Sequence, residues 1–214
     1  MTALAVTERR PLPAWLFSVG VVGFLFGVLA KAADNWGERW ASDLGTYPAL
    51  WILVMAVVGL VASTLTDAAL GAVAFFVPMV VAYYGWSVLV LGYDPTLYVF
   101  AWGLLAVTLC PALTALAWQA IRRRGVLAGL VLGTMAGAIL GEGPIWQFWL
   151  LINGGLPADF PMHPVQAIVD VLFATLIIFV IPRTRSARLW AFGFAILVAA
   201  AAPALMTAVG FGLG

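Results

Sequence analysis

Glu142 sits in the string Gly141-Glu142-Gly143-Pro144, and Asp170 follows Gln166 by four residues, both inside otherwise apolar stretches. A carboxylate in such a setting is costly unless it is paired or faces a cavity, so its default reading is functional. Gln166 and Asp170 share a helix face at i, i+4. Lys31 and Asp34, at i, i+3 and followed by Glu38 at i+7, form a second polar stripe. Either Lys31 snorkels to the headgroups or it makes an inward ion pair. Aromatic residues surround these groups in the sequence: Tyr83, Tyr84, Trp86, Trp102, Trp146 and Trp149. A few convergent polar groups inside an aromatic wall is the composition of a small-molecule pocket. The expected substrate-binding set is Lys31, Asp34, Tyr84, Trp86, Glu142, Trp146, Gln166 and Asp170.

Other chemistries find no support. Two carboxylates in a dry site can act as acid and base, but nothing in the sequence fixes the separation of Glu142 and Asp170, so no catalytic residue is assigned. There is no Walker A motif, Gly-rich dinucleotide loop, HExxH, CxxC or GxSxG. The last apolar segment has no lysine for a retinal Schiff base, and no histidine pair is present to ligate haem. His163, the single histidine, has no HxxH or HxxxH partner; a metal there would need Asp159, Glu142 or Asp170 from elsewhere. Cys110 is the single cysteine, which removes intrachain disulfides and thiolate clusters. No metal or cofactor is expected.

The elements that must position these residues follow from composition. Of 214 residues, 64% are hydrophobic and 9% charged, with a net charge of +1. An average soluble domain carries about 25% charged residues, so too few charges exist here to coat a water-facing surface or to grip nucleic acid. A spanning helix needs about 20 mostly apolar residues. Residues 11–30, 44–66, 68–93, 95–121 and 189–214 qualify outright; 125–149 qualifies with an interruption at Glu142-Gly143-Pro144, and 164–181 carries only Gln166 and Asp170. The expectation is an all-α integral membrane bundle of seven transmembrane helices in one domain, residues 1–214. Its fifth helix is broken, as in transporters that build sites at such breaks. The first apolar run has no small-residue cleavage site and reads as a retained helix.

Seven spans put Arg9, Arg10, Arg122, Arg123, Arg124, Arg183, Arg185 and Arg188 on one side, eight of the ten basic residues. Loops rich in Lys and Arg stay inside, so the N-terminus is expected inside and the C-terminus outside. Asp34, Glu38, Asp43, Asp94, Glu142, Asp159, Asp170 and His163 then fall in the outer half, with seven of the ten tryptophans. Residues 36–47 read as an amphipathic segment lying in the interface, or as a lid over an outer cavity. Thr66 or Asp67 should cap the third helix, and Pro78 should kink it. Gly23 and Gly27, and Gly129, Gly133 and Gly137, form small-residue faces for close helix contact, either within the chain or with a membrane-protein partner.

Four strings carry a resemblance: Gly27-Val-Leu-Ala-Lys31-Ala-Ala-Asp34, Leu44-Gly-Thr-Tyr-Pro-Ala-Leu-Trp51, Ala82-Tyr-Tyr84 and Cys110-Pro-Ala-Leu-Thr-Ala-Leu-Ala-Trp118. Together they resemble a family of small, mainly actinobacterial multi-span proteins of unknown function, over roughly the first four helices. The resemblance implies a multi-pass protein of the bacterial inner membrane and supplies no activity. More loosely, the chain looks like the substrate-binding subunits of vitamin importers, which typically have six helices. Two functions are expected: binding or transport of a small solute through an outer pocket, or a non-catalytic subunit of a membrane complex.

Overall fold

In the computed structural model, residues 12–94, 96–154 and 162–208 are described; Glu8, Arg9, Arg10 and Asp159 lie outside them. The described residues are chiefly helical, without a strand among them. Long apolar runs force this outcome, because a backbone in lipid must satisfy its own hydrogen bonds. The helices are α1 (Leu12–Asp34), α2 (Arg39–Thr46), α3 (Ala49–Val61), α4 (Leu65–Leu89), α5 (Tyr98–Val107), α6 (Leu109–Arg122), α7 (Val126–Leu140), α8 (Pro144–Ile152), α9 (Pro164–Thr175) and α10 (Arg185–Ala208). A π-helical turn, Leu176–Val180, prolongs α9. Four stretches are long and apolar enough to cross a membrane, α5 with α6 counting as one, and up to six if each bent pair is one span.

Two helix pairs form the frame, α1 with α4 and α7 with α10. Both are glycine-lubricated. A Cβ on Gly23 would collide with the Phe75 carbonyl, and one on Gly27 with the Met79 carbonyl. Gly133 faces the Ala191 carbonyl at 2.5 Å from where its Cβ would stand, while Gly129 abuts Trp190 and Gly137 abuts Val198. Both glycine faces are therefore filled within the chain. A partner docking on them would first have to displace α4 or α10.

The prolines behave differently from one another. Pro78 sits in α4, which runs unbroken for 25 residues, so the expected kink does not divide that helix. Pro111 does interrupt the ladder. Its ring excludes the carbonyl four residues back, and α5 ends at Val107, with Thr108 at φ −120°, ψ −72° before α6 begins. The cap of α4 also lies earlier than expected. Thr64 is the N-cap, and its side chain and that of Asp67 exchange 3.0 Å bonds with each other's backbone N–H. This reciprocal box leaves Thr66 inside the helix.

At the neighbouring C-terminal end of α3, Arg122 does more than mark a side of the membrane. Its guanidinium donates to the Gly59 carbonyl at 3.1 Å and to the Ala62 carbonyl, and it stacks 4.3 Å over the Trp118 ring. Trp118 Nε1 donates to the same Ala62 carbonyl at 3.1 Å. The last carbonyls of α3, orphaned by the helix end, are thus satisfied by side chains from α6.

Two outcomes are expected. Gly23→Val and Gly133→Leu should each cost about 1–3 kcal/mol or more, since the blocking atoms are backbone; Gly193→Ala, with open space around it, should be neutral or stabilising. Thermal unfolding in detergent reads both. Arg122→Lys should lose about 1–3 kcal/mol in the same assay, because an ammonium cannot fork to two carbonyls or stack as a plane.

Candidate functional site

A cavity of about 710 Å³ opens between α1, α2, α3, α4 and α5. It exists because α1 packs on α4 and α2 and not on α3. Its floor is Phe75, Phe76 and Met79 of α4, and its walls include Trp51, Tyr83, Tyr84 and Trp102. Trp51 stacks on Phe76 at 5.6 Å with planes 13° apart, and tilts against Trp102 at 5.1 Å. Ala41, Leu44 and Gly45 of α2 close one end together with Trp36 and Trp40. A second apolar recess of about 440 Å³ continues along α1 and α3, sharing Phe26, Leu50, Val54 and Phe75 with the first.

The expected pocket residues are distributed over more than one place. Of the eight, Tyr84 lines this cavity; Trp86, half-buried on the last turn of α4, does not, and neither does Trp146, exposed on α8. Lys31 and Asp34 stand just beside it. Lys31 is 9% exposed and turns inward, its Nζ 3.9 Å from Asp34 Oδ2 and 4.8 Å from the Tyr83 ring centre. Asp34 also accepts from the Tyr83 hydroxyl, and from Ser42 Oγ at 3.4 Å. Of the two readings of Lys31, the ion pair is the one observed. Glu38 leaves the stripe because α1 ends at Asp34 and Gly37 turns the chain at φ +85°.

Glu142, Gln166 and Asp170 gather elsewhere, where α7 breaks. α7 ends at Leu140 and α8 starts at Pro144, bent by 57°, with Gly143 at φ +122°. A side chain rarely adopts that backbone, so the glycine there is required. α9 packs against both α7 and α8 and brings Gln166 and Asp170 to the break. Gln166 Nε2 donates to Asp170 Oδ1 at 2.6 Å, and both residues are essentially without solvent exposure. Asp170 lies within electrostatic reach of Glu142. Glu142 Oε2, Gln147 Oε1, Gln166 Oε1 and Asp170 Oδ2 are buried without a hydrogen-bond partner.

Sequence reasoning missed the neighbours of this group. His163 Nδ1 lies 2.7 Å from Asp43 Oδ2, and the His163 ring meets Tyr47 edge-on at 5.6 Å. Asp43 and His163 are 120 residues apart, so no local spacing could have joined them. The one available signal was Asp43 on the apolar-aromatic segment 36–47. Among the described residues no three His, Cys, Asp or Glu side chains converge as a metal site would require.

Helices of spanning length, internally paired charges and an apolar cavity define a multi-span α-helical membrane protein. The chain belongs to the DUF6518 family, a family of unknown function whose model matches residues 6–211. The match extends well past the four-helix region that carried the resemblance in sequence. No curated protein and no solved structure matches the chain.

The Lys31–Asp34 pair is partly buried, so removing one member should leave the other unmatched. Lys31→Met is expected to destabilise by about 3 kcal/mol, and the double variant Lys31→Met/Asp34→Asn by less than the sum of the singles. A double-mutant cycle by thermal unfolding checks this; strict additivity would show that the pair is not coupled.

Proposed function

We propose that this protein binds or passes a small, chiefly apolar molecule through the cavity between α1, α3 and α4. The observation that carries the reading is that cavity: about 710 Å³ of space walled by aromatic and aliphatic side chains. Pockets of about 300–1,000 Å³ suit single small molecules. The polar groups at its rim, Lys31 and Asp34, are engaged with each other and with Tyr83. They would orient a polar end of the molecule while its body lies against Phe76, Trp51 and Trp102. Continuity with the recess along α1 and α3 offers lateral entry from lipid.

The same proposal includes a topology. Four helices of spanning length, two bent pairs and the shorter apolar helix Pro164–Val180 add up to seven crossings. With the arginine-rich turns inside, the N-terminus is cytoplasmic in a bacterial inner membrane and the cavity opens toward the outer face. α2 then lies in the outer interface as a cover for the cavity. This places the α7–α8 break in the outer half as well.

Val54 borders both recesses, which makes it the position to fill. In Val54→Trp the cavity should be occupied by the indole. Mass spectrometry of a solvent extract from the purified chain should find a molecule enriched over bulk lipid in the wild type, reduced at least about tenfold in the variant, a difference of 1.4 kcal/mol or more. Equal extracts from a folded variant and wild type would rule the cavity out as the binding place.

A further inference from the structure

The two recesses beside α1 form one trough. They share Phe26, Leu50, Val54 and Phe75, and α1 runs past α3 without packing on it. Along α1 the lining extends from Trp15 to Ala33, about 27 Å of helix rise. α1 is itself long and apolar enough to cross a membrane, and the hydrocarbon core it would cross is about 30 Å thick. The trough therefore follows nearly the whole depth of that core, not the depth of one leaflet.

Its polar groups stand at one end. Among the described residues no charged side chain lines either recess. Lys31 and Asp34, beside the larger one, oppose each other at 3.9 Å, so the rim adds no net charge. A phosphate or ammonium head entering there finds no unopposed counter-charge, and a buried charge without one is expensive. An uncharged head with a hydroxyl or carbonyl meets no such cost, and Tyr83 and Tyr84 stand at that end. In the smaller recess the walls include Val19, Val22, Val57, Val58 and Val61. Ser18 there spends its hydroxyl on the Ala14 carbonyl at 2.9 Å. That half of the trough suits only a hydrocarbon chain.

Length then selects the class of chain. Within lipid, moving a hydrocarbon chain into a groove brings little hydrophobic gain. What it brings is van der Waals contact, which grows with the length of groove filled. A phospholipid tail spans one leaflet, about half of the core, and leaves the rest of the trough to a second molecule from the other leaflet. Two molecules then lose their freedom where one long chain loses it once. Chains of repeated isoprene units exceed acyl length while carrying a single head. We infer that the trough between α1 and α3 binds an uncharged, single-chain polyisoprenoid lipid, its head at the Tyr83–Tyr84 end and its chain running past Val54 toward Trp15. This rests on the cavity being a binding place, as proposed above, and names the class of molecule it takes.

The test uses the purified full chain in nonionic detergent, titrated with farnesol, solanesol, solanesyl phosphate or phosphatidylglycerol at matched mole fractions in the micelle. The unfolding midpoint is followed, because a ligand of the native state raises it. Farnesol and solanesol share a head and differ in chain length. Solanesol should bind at least about tenfold more tightly than farnesol and raise the midpoint more than either charged lipid. Val57 lines only the smaller recess, so Val57→Trp should abolish the preference for solanesol and leave the response to farnesol as it was. Three results would overturn the inference. They are equal responses to farnesol and solanesol, a stronger response to solanesyl phosphate or phosphatidylglycerol, or an undiminished solanesol preference in folded Val57→Trp. The wild-type ranking decides the matter even if the variant fails to fold. An extract that lacks a long chain but falls in Val54→Trp would leave the cavity reading standing without this one. Extracts unchanged by Val54→Trp would remove the cavity reading itself.

Discussion

The contact on which the rest depends is the approach of α1 to the backbone of α4. Gly23 and Gly27 remove the only atoms that would hold the two helices apart, and the carbonyls of Phe75 and Met79 occupy the space. In lipid there is little hydrophobic gain in bringing helices together, so van der Waals contact at short range has to do the work. Because α1 is committed to α4, it does not close on α3, and the gap between them becomes the cavity. The α7–α10 pair repeats the device with Gly129, Gly133 and Gly137. With α10 fixed along its length, α7 is held firmly up to the point where Glu142-Gly143-Pro144 lets it break.

Polar groups in this bundle divide into those that are satisfied and those that are not. Lys31, Asp34, Ser42 and Tyr83 form a closed set on the rim of the cavity. Arg122 is spent on the end of α3 and on Trp118. Asp43 and His163 complete each other. In a medium where an unmatched donor or acceptor costs several kcal/mol, such closure is the expected state of every buried group. The side-chain oxygens of Glu142, Gln147, Gln166 and Asp170 near the α7–α8 break depart from it, and so does Trp15 Nε1 on α1.

Much of the architecture was legible in the sequence because charge is so sparse. The apolar windows fall on α1, α3, α4, α5–α6, α7–α8, α9 and α10, and the break near Glu142 lies where the Gly-Glu-Gly-Pro string placed it. Glycine spacing marked the faces that come close, yet a small face is silent about which helix fills it. Pro78 and Pro111 look alike in sequence, but only Pro111 divides its helix; the difference is tertiary, since α4 is clamped by α1 on one side and α6 on another. That the eight expected pocket residues would lie in more than one place was not legible. Aromatic and acidic residues shared an end of the bundle, and composition at one end does not tell which side of α3 each residue occupies. Asp43 was missed for the same reason, its partner lying far along the chain.

α2 ties the two places together. Its Ala41, Leu44 and Gly45 line the cavity, while Asp43, between them in sequence, reaches the other way to His163, the residue before α9. Gln166 and Asp170 follow on that same helix, and Tyr47, just past the end of α2, feels the charges of Asp43, Glu142 and Asp170 together. An eight-residue helix without a side-chain cap at its start has little stability of its own. What holds it is the Asp43–His163 contact on one side and Ser42 with Asp34 on the other. Leu44 and Gly45 line the cavity on one side of α2, and Asp43 meets His163 on the other. The two places therefore share one element, a short helix held by side-chain contacts to α1 and to His163.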